Sequence, residues 1–225
     1  MDYFYINLER RPDRKAHMEK QFNKANISNY HRIDAIDGLD LNKYNLSLDE
    51  IKLFRNADYK SKPFSKKIIG NQLTHLRIIK KLINSDYKYA VIMQDDMEFC
   101  KNFNQEVENV INNYPAYAEV INIGFHKYAA YQHVIPYDLN NSNTEHIKQR
   151  VNNYVCKLNH NINPCSSAYI INTSRIQNFI NYVEIYGCHR ATDWVFNEYL
   201  QKNNIFYGST KILCTGAQMG SDIFC

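Results

Sequence analysis

The chain has 225 residues, 44% of them hydrophobic and 22% charged, a length and mix that give a sizeable core and argue against disorder. Its formal net charge of +4 is small, and its Lys and Arg are dispersed among acidic residues, so the footprint of a nucleic-acid binder is absent and an anionic small ligand suits the balance. No run approaches the roughly 18 apolar residues of a membrane span, and Met1-Asp2-Tyr3-Phe4 has no basic region ahead of an apolar stretch, which predicts a cytoplasmic protein without a secretory signal.

Residues 2–8 read as a buried strand, followed at once by Glu9-Arg10-Arg11-Pro12-Asp13-Arg14 and a helix to about Ala25. Pro12 fits the first helical turn, where its missing N–H costs nothing. Asn7, Arg10, Arg11 and Arg14 therefore gather at a strand end and a helix start, a place suited to the phosphates of a nucleotide or simply to a solvated, charged helix start. Tyr30 to Gly38 reads as a second strand running into a turn, with Gly38 expected at positive φ. Asp37 either binds a ribose hydroxyl or closes that turn through its own backbone. Ser47-Leu48-Asp49-Glu50 matches a capping box, so a short helix is expected from Leu48, and Lys60 to Ser65 reads as a loop.

Over residues 66–84 the apolar positions Ile69, Leu73, Leu76, Ile79 and Ile83 recur at helical spacing. His75 lies among them, where a histidine is ordinarily structural. The next segment, Tyr89 to Met93, is a continuous apolar run ending in Asp95 and Asp96, the pattern of a strand buried on both faces. Ligands of open α/β sheets bind beyond the carboxyl ends of strands. Two adjacent carboxylates there suit a hard divalent cation, or else a solvated acidic turn.

A helix is expected from Asn102 to about Asn113 and a strand over Glu119–Gly124. Residues 125–165 are polar, Tyr- and Asn-rich and poorly periodic. They read as a long loop with one short strand near Tyr154-Val155-Cys156, and a loop of that length is more often functional than incidental. Ser166–Asn172 reads as a strand, Thr173 as the cap of a helix to about Val183, and Thr192 as the cap of a last helix containing Asp193 and Trp194. Short strands follow in the tail. The six cysteines form neither a C-x-x-C pair nor a zinc spacing, so reduced thiols are expected. Without a repeat or a shift in composition, the chain reads as a single domain over residues 1–225.

In this order the segments resemble glycosyltransferase family 25, which includes lipooligosaccharide β-galactosyltransferases of lipopolysaccharide biosynthesis and collagen-type hydroxylysine galactosyltransferases. Tyr5 to Arg14 looks like the family's "INLdrRpdR" opening, Arg32 to Gly38 like its "r-x-x-A-x-D-G" turn, and Gly70-Asn71-Gln72-Leu73-Thr74-His75 like its "G-x-x-x-S-H" helix. Gln94-Asp95-Asp96 stands where the family has Glu-Asp-Asp. Ser167–Ile171, Thr192-Asp193-Trp194, and Gln218 with Ser221-Asp222-Ile223 are similar to its remaining segments. Three departures stand out: Gln94 for an acid, Thr74 for serine, and His189 as the last histidine, so that Asp222 or Gln218 would supply any late metal ligand.

The resemblance implies an α/β GT-A (Rossmann-like) domain with a central mixed, mostly parallel sheet flanked by helices, binding a UDP-sugar and Mn²⁺ (or Mg²⁺). It implies an inverting transfer of a hexose, galactose or glucose, to a hydroxyl of a glycan or glycosylated acceptor, with the long loop shaping the acceptor side. The candidate base is Asp193. The donor-binding candidates are Asn7, Arg10, Arg11, Arg14, Asp37, Gln94, Asp95 and His75, and the metal candidates are Asp96 and Asp222. Trp194 stacks on the acceptor or lies in the core. Because Gln94 removes a negative charge from the acidic triplet, the alternative is a catalytically degenerate nucleotide-sugar- or glycan-binding module on the same fold. No P-loop, dinucleotide fingerprint or G-x-S-x-G elbow occurs, which leaves those chemistries without a motif.

Overall fold

The computed structural model describes residues 1–55, 64–125, 147–159 and 166–222. Most of the Lys60–Ser65 loop, the 126–146 and 160–165 parts of the long loop, and Ile223 lie outside them. The described elements are β1 (Asp2–Asn7), α1 (Pro12–Lys24), β2 (Tyr30–Asp34), a 3₁₀ segment (Gly38–Tyr44), α2 (Leu48–Lys52), α3 (Phe64–Ile83), β3 (Tyr89–Gln94), β4 (Met97–Phe99), α4 (Phe103–Asn112), β5 (Val120–Asn122) and β6 (Gly124–Phe125). They continue with β7 (Ile147–Arg150), β8 (Val155–Leu158), β9 (Ala168–Asn172), α5 (Gln177–Tyr186), α6 (Thr192–Lys202), β10 (Tyr207–Ser209) and β11 (Cys214–Gly216).

Eight strands form one sheet in the order β2-β1-β3-β9-β5-β10-β8-β7. β1 is parallel to β2 and β3, and β5 to β10, whereas β9 is antiparallel to both β3 and β5 and β8 to both β10 and β7. Six strands therefore point one way and only β9 and β8 are reversed. This is the mixed, mostly parallel sheet flanked by helices that the sequence led us to expect.

Side-chain alternation along the strands splits the core in two. Phe4 and Ile6 of β1, Ala90 and Ile92 of β3, and Tyr169 and Ile171 of β9 face α3, α5 and α6. Their neighbours Tyr3, Tyr5, Val91, Met93, Ala168 and Ile170 face the opposite layer, where Met18 and Phe22 of α1 and Phe103 and Val107 of α4 pack. Because β3 carries one buried row on each face, it reads in sequence as an unbroken apolar run.

A second, three-stranded sheet, β4-β11-β6, stands at the carboxyl edge of the first. The sequence reading missed β4. The pairing of β4 with β11 leads the tail past Asp96, whose carbonyl accepts from Ala217 N at 2.6 Å.

Several local expectations change. Gly38 is not at positive φ; among the described glycines Gly187 and Gly220 are. A Cβ at Gly38 would lie 2.1 Å from the Lys66 carbonyl, and one at Gly70 would lie 2.4 Å from that of Ile36, so both glycines permit backbone contact between the turn and α3. Thr74 fastens the same junction, its hydroxyl accepting from Ile36 N and donating to Gly70 O, each at 2.8 Å. Thr173 does not cap a helix: its hydroxyl donates to the carbonyls of Tyr87 and Lys88, and α5 starts later. Thr192 is the first residue of α6, not its cap, and its hydroxyl donates to Asn71 Oδ1 at 2.7 Å. The capping box at Ser47 and Glu50 forms as expected. Cys100, Cys156, Cys188 and Cys214 are free thiols.

Candidate active site

β1 and β3 lie side by side with Ile6 opposite Gln94, so Asn7 and Asp95 leave the sheet at the same edge. Asn7 Nδ2 donates to Asp95 Oδ2 at 2.7 Å and to the Arg11 carbonyl at 3.1 Å, while its Oδ1 accepts from Arg32 Nε at 2.8 Å. The buried asparagine thus fixes the carboxylate relative to the helix start. Pro12 begins α1, which puts Arg10 and Arg11 just before its first turn and Arg14 within it.

Arg14 is only 6% exposed. Its Nη1 lies 2.7 Å from Asp95 Oδ1 and 3.3 Å from Asp96 Oδ2, and its Nη2 donates to the Gly220 carbonyl and lies 3.8 Å from Asp222. Arg10 bridges Asp37 at 2.7 Å and Asp222 at 2.6 Å; Arg11 holds Asp13, Asp222 and the Met219 carbonyl. Gly220, at φ +75°, takes a backbone conformation that glycine tolerates best where the tail meets Arg14. The tail is thus bound to the strand ends by three arginines.

Burial pushes the Asp95 carboxyl above the usual range, against the pull of Arg14 and the Asn7 hydrogen bond. Burial acts in the same direction on Asp222, but there the hydrogen bond from Arg10 and the charges of Arg14, Arg10 and Arg11 prevail and hold it below. The Arg10 contacts are partly exposed and add little to stability. The Arg14–Asp95 pair is buried, and removing one partner of such a pair costs about 3–5 kcal/mol because the other charge is stranded.

Asp37 closes its turn as one of the two sequence alternatives has it, accepting from Leu39 N at 2.9 Å to cap the 3₁₀ segment, and its other oxygen pairs with Arg10. Gln94 donates its backbone N–H to the Ser167 carbonyl at 2.8 Å. His75 stands apart from this network. It is 1% exposed, its Nδ1 lies 2.7 Å from Tyr169 Oη, and Nε2 has no hydrogen-bond partner among the described residues. Burial lowers its pKa to about 4, so it is neutral.

Asp193 lies elsewhere, in the first turn of α6, half-buried in a cleft with Asn122, Ser166, Tyr169, Phe196, Asn197 and Phe206. The two regions adjoin just before β9: Ser166 lines the cleft and the next residue, Ser167, receives the Gln94 bond. Trp194 is half exposed, with the Arg190 guanidinium 5.5 Å from its ring centre. Asn122 and Asn197 escaped the sequence reading. Asn197 is one helical turn beyond Asp193, and Asn122 ends β5 as Gln94 ends β3, so helical and strand spacing from the chosen candidates would have found both.

Among the described residues there is no group of three or more His, Cys, Asp or Glu side chains arranged to hold a metal. The donor chemistry nevertheless suits a hard divalent ion, since Asp95, Asp96 and Asp222 offer carboxylate oxygens from a strand end and the tail. The Arg14 guanidinium stands where those carboxylates converge.

The family model described as glycosyltransferase family 25 (LPS biosynthesis protein) matches residues 1–194. A glycosyltransferase 25 family member of Drosophila pseudoobscura pseudoobscura is 31% identical over 48% of this chain and 18% of its own length. Human procollagen galactosyltransferase 2 is 28% identical over 50% of this chain and 18% of its own. The chain therefore matches less than a fifth of the length of these relatives. A galactosyltransferase crystal structure with donor and acceptor sugar analogues aligns over 97% of this chain and 87% of its own, with 9% identity and a TM-score of 0.44. No helix among the described residues is long and apolar enough to cross a membrane.

Proposed function

Because this chain belongs to glycosyltransferase family 25, we propose that it transfers a hexose, galactose or glucose, from a UDP-sugar to a hydroxyl of a glycan or glycosylated acceptor with inversion at the anomeric carbon. The observation that carries this reading is the meeting of Arg10, Arg11 and Arg14 with Asn7, Asp95 and Asp96 at the shared edge of β1 and β3. Guanidinium forks at a helix start are the side chains suited to a diphosphate. In a single in-line displacement the acceptor hydroxyl loses its proton, its oxygen bonds to the anomeric carbon as the bond from that carbon to the diphosphate oxygen breaks, and UDP departs with the negative charge.

In this reading the three arginines bind the diphosphate and stabilise the charge that develops on it. Asp37 and Gln94 bind the ribose, and Asp95, held by Asn7, orients the donor. Asp193 receives the acceptor proton at the start of α6, where the half-exposed Trp194 beside it offers the acceptor a stacking face. Neutral His75 is a positioning residue behind Tyr169 on the wall of the adjoining cleft. A Mn²⁺ or Mg²⁺ ion held by Asp96 and Asp222 would supply counter-charge to the leaving diphosphate.

The test is UDP release by the purified protein from a panel of UDP-hexoses, with Mn²⁺ and with EDTA, water taking the hexose in place of the acceptor. One donor should turn over, Asp96→Ala should abolish turnover, and Asp193→Asn should reduce it about 10²- to 10⁴-fold. Turnover of no donor under any condition overturns the reading. A second reading, a binding module with catalysis lost, is favoured by the neutral Gln94. It predicts UDP-sugar binding without turnover, and activity gained in Gln94→Glu.

A further inference from the structure

We propose that Arg14 is an exchangeable counter-cation: a divalent ion reaches Asp96 and Asp222 only when the Arg14 guanidinium leaves them, and a nucleotide diphosphate releases it by offering phosphate oxygens in their place. The diphosphate half of this statement rests on the donor reading above; the exchange itself does not.

Asp95 and Asp96 are adjacent and buried, 5% and 4% exposed, so their charges repel across little solvent unless a cation lies between them. That cation is Arg14, with Nη1 in contact with both and Nη2 directed toward Asp222 and the Gly220 carbonyl. A hard ion would need the same oxygens at about 2.0–2.1 Å, the Mg²⁺ distance, which would bring it against the guanidinium. The two cations therefore compete for one position.

The guanidinium is also incompletely satisfied where it stands. Arg14 Nε is buried and has no hydrogen-bond partner among the described residues, leaving a donor for an oxygen that these residues do not supply. A diphosphate is such a source, and a guanidinium binds phosphate bidentately. Arg10 and Arg11, on the same side of α1, give the anion a reason to stop there. Because both also hold Asp222, their turn toward a diphosphate loosens the tail carboxylate in the same event.

Exchange predicts a thermodynamic coupling in which nucleotide and metal each strengthen the other's binding. We would titrate Mn²⁺ into the protein, reading free Mn²⁺ by electron paramagnetic resonance, with and without UDP. Wild type should bind Mn²⁺ weakly alone and at least about tenfold more tightly with UDP. Arg14→Met should gain that affinity without UDP, and Arg14→Lys, which keeps the charge, should not.

Wild type that binds Mn²⁺ alone as tightly as Arg14→Met, or an Arg14→Met variant with no gain, overturns the exchange. Should Arg14→Met be destabilised, Mn²⁺ must raise its melting temperature while leaving that of wild type unmoved; failure to do so overturns the proposal equally. UDP that binds neither protein by calorimetry overturns the donor reading, and the Mn²⁺ affinity of Arg14→Met then decides the exchange by itself.

Discussion

His75 couples the stability of the fold to acid. Its pKa falls from 6.5 to about 4 because burial penalises the imidazolium. The unfolded chain therefore takes up a proton that the folded chain refuses. The stability this group gives is complete above pH 6.5 and is lost as pH falls toward about 4, to a total of roughly 3 kcal/mol. Asp95, with its carboxyl raised, works in the opposite direction at the lower end of that range, since its folded form accepts a proton early. Comparing urea unfolding of wild type and His75→Gln between pH 7 and about 4.5 isolates the histidine. The variant should lose less stability across the window; parallel pH curves would contradict a neutral, buried His75. Much of the arginine–carboxylate network was legible at this scale. Asn7, Arg14 and Asp95 lie at the ends of strongly patterned segments, so their neighbourhood follows from strand and helix ends alone. His75 was harder to assign, because a histidine on an apolar helix face reads alike whether it meets ligand or core.

At the scale of elements, the junction between the Asp37 turn and α3 decides whether Arg10 has a fixed partner. Alanine in place of glycine inside a helix ordinarily stabilises by about 1 kcal/mol. At Gly70 the added Cβ would lie 2.4 Å from the Ile36 carbonyl and 2.9 Å from Gly38 N, so the sign reverses. Gly70→Ala should lower stability by about 1–3 kcal/mol, read as a lower urea midpoint. An unchanged or raised midpoint would contradict the close seating of the turn on α3. α3 was legible through its apolar spacing and α2 through its capping box, and so were the long strands. Helix starts were less so: Thr173 and Thr192 both look like caps, yet each spends its hydroxyl on another segment, on Lys88 and Tyr87 or on Asn71. β4 has three residues, too few for a periodic signal to form, whereas the short strands of the tail were legible as present but not in their bounds.

Across the whole molecule, the sheet was legible through the two-sided burial of β3 and the helix that precedes it. The placement of the tail was not. Asp222 meets Arg10 from 212 positions away, a contact that no local pattern announces; the family resemblance pointed to the residue without giving its partner. The β4–β11 pairing provides the physical route, carrying residues 217–222 across the strand ends. A ligand bound there should register simultaneously in three segments far apart in sequence. The most direct measurement is amide hydrogen exchange of the purified protein with and without saturating UDP. Bound UDP should slow exchange in residues 9–14, 94–97 and 217–222 together, with β7 and β8 unchanged. Bound UDP that leaves those three segments untouched, or that protects only other segments, would contradict binding at the strand ends.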